Sequence, residues 1–297
     1  MKRFIETHFN LVLLLSCAVG LFLPGLASLP NVTVVIALAM LMFISCYRLR
    51  DGGFASLRWK DILLFYALRY AVLPGVLFAV ANAVVPDYAV GVFLLTTLPA
   101  GVASPAFASL YGGAVAPAFA VVIISQLLTP FLIPLQFALL GGVAAAPSPS
   151  ALFVTMVWCI FLPMLVYAFA RRHRRSAAFI HAQNKVWSVL LVAFVIAMAI
   201  AKQREIILSG HGVLASLAIT LLCFITYIAF GWFLPRRRPR EERITYACCS
   251  SFNNAALGVS LALLHFSPQV ILFVAISEIG WATLPVLLSG FLRVFAR

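Results

Sequence analysis

Ten apolar windows, punctuated by polar residues or by proline and glycine, follow one another along the chain. They run approximately from Phe9 to Leu23, Val32 to Tyr47, Ile62 to Val84, Ala89 to Tyr111, Ala114 to Leu140, Ala151 to Ala170, Val186 to Ala201, Val213 to Leu234, Ile244 to His265 and Val270 to Phe295. A hydrocarbon core about 30 Å thick takes roughly 20 helical residues to cross. The pattern therefore predicts an all-α membrane protein of about ten transmembrane helices. Because apolar stretches recur along the whole length, the first window reads as a first span and not as a signal peptide.

Two windows are interrupted, the fourth by LPAGVASPAF (Leu98 to Phe107) and the ninth by CCSSFNNAALG (Cys248 to Gly258). Pro99 and Pro105 lack an amide proton, and each ring opposes the carbonyl four residues back, at about 3 kcal/mol in a helix interior. Gly101 between them permits close approach or unusual dihedrals. The sequence thus predicts a helix ending near Pro99 and a half-helix starting near Ser104 or Pro105, with Ser104 as its cap. Carbonyls around Pro99 to Gly101 and the half-helix amides are expected to be free for a ligand. In the ninth window Ser250, Ser251, Asn253 and Asn254 concentrate four polar side chains that must face protein, water or cargo. These four, with Ser104, Pro105 and Arg69, are the predicted substrate-binding residues.

Both interrupted spans are fourth in a set of five. Two sets of five enter the membrane in opposite senses, so the expectation is an inverted repeat divided near residues 1–145 and 146–297, within a single membrane domain. Matched interruptions in the two halves are the sequence pointer to a transporter's binding site.

Composition agrees with this class: 64% hydrophobic and 10% charged residues leave too little polar surface for a water-soluble globule. The net charge of +13 is distributed by side. Eighteen of the 21 basic residues fall on one side if ten spans alternate: Lys2, Arg3, Arg48, Arg50, Arg58, Lys60, Arg171, Arg172, Arg174, Arg175, Lys185, Arg236, Arg237, Arg238, Arg240, Arg243, Arg293 and Arg297. Only Lys202 and Arg204 lie on the other. The basic side is then cytoplasmic, with both termini inside. The chain is expected in a bacterial cytoplasmic (inner) membrane, with the lipid bilayer as partner and no nucleic acid. The stretch from Arg171 to Lys185 reads as a basic connector, and Pro147 to Ser150 as an outside turn. Six cysteines (Cys17, Cys46, Cys159, Cys223, Cys248, Cys249) lie in apolar spans without metal-binding spacing, so neither disulfide nor zinc is expected.

At the two breaks the chain resembles the bile acid:sodium symporter family. PAGVASPAFASLYGGAVAPAFAVVIISQLLTP, from Pro99 to Pro130, lies without a gap on that family's fourth and fifth spans, and FNNAALGVSLALLHF, from Phe252 to Phe266, resembles its ninth. The resemblance implies panel and core domains, with spans four and nine unwound and crossing in the core. It implies an organic anion carried beside the crossing, and sodium held there by oxygen ligands.

At the implied sodium positions the chain departs from the family. Ser104 matches a serine, but Pro105 stands where an asparagine is expected and Asn253 where a glutamine is. Cys249 aligns with a glutamate, Ala118 and Val122 with hydroxyl residues, and Arg69 with a glutamine of the second sodium site. Sodium takes roughly five or six oxygens, and a guanidinium a few ångströms away repels it by several kcal/mol at an effective dielectric near 20. Arg69 is therefore expected to replace a bound sodium, leaving no confident metal site; Ser104 and Asn253 are what would remain of one. A second reading leaves Arg69 snorkelling to the cytoplasmic surface. Glu278, the lone acid in a span core, is a coupling candidate as a proton carrier, a partner for Arg69 or a structural residue. His265 reads as an interface histidine.

The function these features imply is secondary active transport of a small organic anion, a carboxylate or bile-acid-like molecule, by alternating access, with sodium coupling in doubt and no cofactor. Efflux of a metalloid oxyanion is the alternative, encouraged by Cys248 and Cys249. An intramembrane enzyme or receptor is a further one, but no nucleophile and base fall at recognisable spacing. Cargo and oligomeric state are not specified by these residues.

Overall fold

The structure is a computed structural model that describes residues 9–46, 57–140, 147–170, 174–210 and 212–295. Basic residues Lys2, Arg3, Arg48, Arg50, Arg171, Arg172 and Arg297 lie outside them. Among the described residues every regular element is helical. The helices are α1 (Phe9–Phe22), α2 (Val32–Cys46), α3 (Trp59–Val84), the split pair α4a (Ala89–Thr97) and α4b (Ser104–Leu110), α5 (Val115–Leu139), α6 (Pro149–Ala170), α7 (Arg174–Lys202), α8 (Val213–Phe233), the split pair α9a (Arg240–Ser251) and α9b (Ala255–His265), and α10 (Pro268–Phe295). Five of them, α3, α5, α6, α8 and α10, are each long and apolar enough to cross a bilayer unaided. This is an all-α, multi-pass membrane protein.

Both interruptions fall where proline, serine and asparagine predict them. One boundary differs. The stretch read as a connector from Arg171 to Lys185 is helical from Arg174 onward, as the beginning of α7. Alanine, glutamine, lysine and arginine there are good helix formers, so its polarity moved the apolar window but did not end the helix. The predicted turn at Pro147 likewise gives way to helix at Pro149, which occupies the first turn of α6.

Two helices carry a widened turn, Ala67–Val72 in α3 and Val157–Phe161 in α6. Each immediately precedes Leu-Pro, at Leu73-Pro74 and Leu162-Pro163. Proline removes a donor and crowds the carbonyl one turn back; a single i→i+5 turn absorbs both effects without breaking the helix.

The chain forms two compact units, each drawing on both halves of the sequence. The first comprises residues 1–51, 133–213 and 256–275. In it α7 packs along α1 and α2, and Gly20 lets α1 approach so closely that an added methyl would lie 2.5 Å from the Ala197 carbonyl oxygen. Lys202 Nζ donates to the Ala27 and Leu29 carbonyls at 3.1 Å, and Arg204 Nε to the Leu21 carbonyl at 2.9 Å. The two basic residues that depart from the charge asymmetry are thus bound to carbonyls at the end of α1 and in the α1–α2 connection.

The second unit comprises residues 52–132, 214–255 and 276–297. Here α4a packs on α3 and α9a on α4b. Gly231 of α8 meets Tyr246 and Ala247 of α9a backbone to backbone. The Arg243 guanidinium lies 3.8 Å over the Trp232 ring and donates to the Trp232 carbonyl, which clamps the same pair of helices. A methyl at Gly231 would overlap the Tyr246 carbonyl oxygen, whereas one at Gly25 has nothing within 4 Å. Gly231→Ala is expected to cost about 1–3 kcal/mol and to lower the thermal unfolding midpoint of the detergent-solubilised protein by several degrees, with Gly25→Ala unchanged as the control.

Candidate functional site

The two broken helices meet inside the second unit. Between α4a and α4b the chain leaves the helix through residues 98–103, closing in a turn at 102–103; between α9a and α9b it does so through residues 252–254. The two segments cross antiparallel at Ala100 and Asn253. Gly101 N–H donates to the Phe252 carbonyl at 2.7 Å, and Asn254 N–H to the Pro99 carbonyl at 2.8 Å. Only a residue without a side chain fits at the near point, since a methyl on Gly101 would lie 2.7 Å from the Asn253 carbonyl oxygen.

This crossing overturns the expectation of free backbone groups. The Ala100 carbonyl accepts Gln126 Nε2 and its N–H donates to Ser125 Oγ, both at 3.2 Å. The Gly101 carbonyl accepts Ser104 N–H, and the first amides of α4b return to Ala103. Ser104 is not a cap either. It stands inside the first turn, and its hydroxyl donates across the crossing to the Phe252 carbonyl at 2.9 Å. Break and crossing satisfy one another, as backbone at membrane depth requires.

Each break also leaves the last carbonyls of α4a and α9a without intrahelical donors. Thr97 Oγ1 covers Leu94, Asn253 Nδ2 covers Leu95, and Phe252 N–H covers Cys248. Tyr70, from the widened turn of α3, donates its hydroxyl to the Cys249 carbonyl at 2.6 Å. Arg69 serves both helix ends at once. Its Nη1 donates to the Thr96 carbonyl at 2.8 Å, its Nη2 to the Ser250 carbonyl at 2.8 Å, and its Nε to the Ser250 carbonyl and hydroxyl at 3.0 and 2.9 Å. The guanidinium lies over the Tyr227 ring at 4.2 Å and near the Tyr70 ring at 4.9 Å. Tyr227 is held in turn by the Thr96 hydroxyl at 2.7 Å.

Arg69 is 0% exposed, which excludes snorkelling. It has no carboxylate partner, since the ion pair among the described residues is Arg238 with Asp61; the reading of Glu278 as its partner is corrected accordingly. What balances the guanidinium is the negative end of two helix dipoles and two aromatic faces.

Of the other predicted residues, Ser250, Ser251, Asn253, Asn254, Ser104 and Pro105 are all buried at or beside the crossing. Ser251 turns back to its own helix, at the Ala247 carbonyl. Among the described residues, Asn253, 2% exposed, keeps its Oδ1 without a hydrogen-bond partner, as does Gln126 its Oε1. Cys249, in the glutamate's place, reaches only the Ala118 carbonyl, at 3.9 Å. Cys248 and Cys249 are fully buried. Val122 offers no side-chain oxygen; Ser125 does so one turn later.

Glu278 is 3% exposed, and neither carboxylate oxygen has a hydrogen-bond partner among the described residues. It stands one turn before Trp281 on α10, whose ring packs edge-on to Phe252 and Phe107, themselves stacked at 3.9 Å. The acid therefore shares a helix face with a side chain that seals the crossing. Residues that sequence reasoning missed are Thr96, Tyr227, Ser125 and Gln126. Thr96 and the SQ pair had a signal, as polar groups beside a break and inside an apolar span; Tyr227 had none.

A family model, the SBF-like CPA transporter family, matches residues 7–296. YocS of Bacillus subtilis, an uncharacterized sodium-dependent transporter, is 27% identical over 279 residues, covering 90% of this chain and 85% of its own. Chloroplastic BASS1 proteins, each a probable sodium/metabolite cotransporter, are 26% identical in Arabidopsis thaliana and 28% in Oryza sativa. These alignments cover 97% and 94% of this chain and 74% and 70% of theirs.

Removing the Arg69 fork strands buried carbonyls at about 1–3 kcal/mol each. Arg69→Lys keeps the charge but not the fork, so it is expected to lower the unfolding midpoint less than Arg69→Gln, which removes both. A midpoint unchanged in both variants would mean that the guanidinium does not hold the two helix ends.

Proposed function

The chain belongs to the SBF-like CPA transporter family, and from that premise we propose that it carries a small organic anion by alternating access, with the Arg69 guanidinium fixed where the resemblance to the bile acid:sodium symporter family implies a sodium ion. The supporting observation is the bonding of Arg69 to the carboxyl ends of both half-helices. Those carbonyls are the oxygens a cation at the crossing needs, and here a resident cation already uses them. A positive charge that never leaves attracts an anionic cargo without an ion from solution. It also repels sodium by several kcal/mol at short range.

In this reading the chain is a 5+5 inverted repeat, near residues 1–145 and 146–297, crossing the membrane ten times with both termini cytoplasmic. One group of spans rocks against the other while the crossing stays rigid. Ser104, Asn253, Asn254 and Ser250 form the crossing beside which cargo binds, with Pro105 and Ser251 holding the two half-helix ends. Glu278 is the second coupling group. In this reading Glu278 couples by carrying a proton between its side of the site and water.

The sodium dependence in the relatives' names favours a second reading, in which sodium is retained. Asn253 Oδ1 and Gln126 Oε1 are the oxygens left for it.

Uptake of radiolabelled pyruvate and pantothenate into proteoliposomes separates the two. Carboxylate uptake is expected to persist when potassium replaces sodium and to fall at least tenfold in Arg69→Gln, the loss expected when a desolvated charge contact of about 1.4 kcal/mol or more is removed. Strict dependence on a sodium gradient would overturn the replacement of sodium by Arg69, and absence of carboxylate uptake in any salt would overturn the anion assignment.

A further inference from the structure

A second cluster of charge lies in the same unit, away from the crossing, at the joint of α3, α8 and α9a. Asp61, Leu64, Phe65, Leu234, Pro235, Arg236, Arg237, Arg238 and Tyr246 line a cleft of about 330 Å³ there. The tripeptide Arg236–Arg238 lies in the turn between α8 and α9a, and its members are not equivalent. Arg238 is committed to Asp61, with Nη2 at 2.7 Å from Oδ1 and 2.6 Å from Oδ2. The side chains of Arg236 and Arg237 are exposed and have neither ion pair nor hydrogen bond among the described residues. Glu242 and Arg58 stand near Tyr246 as well. Three arginines and one acid line the cleft, so it remains cationic.

Its other wall is apolar. Leu64 is 56% exposed and opens onto the lipid-facing surface of α3 beside Leu63. Phe65 and Tyr246 pack ring to ring at 4.7 Å and form the floor. Tyr246 is 3% exposed, lines the cleft, and its hydroxyl makes no hydrogen bond to the described residues. Two free guanidinium groups, a buried phenol and an aliphatic wall at the edge of the apolar span match one ligand chemistry: a phosphate ester joined to hydrocarbon.

We propose that this cleft binds an anionic phospholipid, its phosphate on Arg236, Arg237 and Tyr246 and its acyl chain along Leu64 and Leu234. Arg238 is the positioning residue, because its ion pair with Asp61 ties the arginine turn to α3. The bound lipid bridges α3 to the α8–α9a turn, the same elements that carry Arg69, Tyr227 and Ser250. The inference requires a bilayer but is independent of the cargo and of its coupling ion. Basic pockets between spans hold lipid headgroups by this combination of fixed charge and partial desolvation.

The test is native mass spectrometry of the full chain in detergent with equal amounts of dioleoyl phosphatidylglycerol or dioleoyl phosphatidylcholine. The phosphatidylglycerol adduct is expected to dominate and to drop at least about fivefold in R236Q/R237Q, the effect of about one headgroup-contacting arginine or more. It is expected to drop less in Y246F. R293Q/R297Q removes the same number of charges near the end of the sequence, outside the residues lining the cleft, and is expected to keep the adduct. Equal retention of the two lipids, or equal loss in R293Q/R297Q, would reduce the effect to bulk charge and overturn the site. Displacement by glycerol phosphate at concentrations equal to the lipid would show that the apolar wall contributes nothing, and would overturn the lipid assignment.

Discussion

Two helices that stop inside a membrane leave their last carbonyls facing hydrocarbon, and the second unit is organised around supplying donors to them. In water such groups are satisfied at no cost; at membrane depth each needs a protein partner. Arg69 is the side chain that reaches both helix ends, and the guanidinium fork is what makes this geometry possible. Tyr70 extends the same service one residue along α9a. The wide turn that carries Arg69 and Tyr70 follows from Pro74, so a proline in one helix and two broken helices elsewhere form one connected solution.

The crossing is more constrained than a flexible interruption would be. Gly101 sets the distance between the two backbones, and Ser104, Ser125, Gln126 and Asn253 bind the peptide groups that the breaks expose. Phe252, Phe107 and Trp281 close the site against α10. Glu278 stands on the same face of α10 as that aromatic seal, buried and without a hydrogen-bond partner among the described residues.

Some of this was legible beforehand. LPAGVASPAF and SSFNN mark both breaks to within a few residues, because proline geometry and the cost of amides in hydrocarbon act locally. Arg69 stood out as the basic residue within a span, but its two readings, crossing or surface, were equally compatible with its position in α3. Ser104 was misread as a cap, since serine before proline at a helix start has that role when nothing else competes for its hydroxyl; here the Phe252 carbonyl does. The polar stretch after Arg171 reads as a connector in the sequence but is helical from Arg174, because low hydropathy ends an apolar window without ending a helix.

By itself, then, the sequence determined the solvent, the apolar segments, the breaks and the asymmetry of charge, all of which depend on residues acting where they stand. The tertiary structure decided what those features do. Arg69 finds its acceptors 27 and 181 residues away, Ser104 its partner at 148, and the ion pair that builds the second cleft spans 177. No local pattern encodes such distances. They arise because a buried charge or carbonyl accepts whatever partner the packed helices bring to it, and that partner is chosen by the fold.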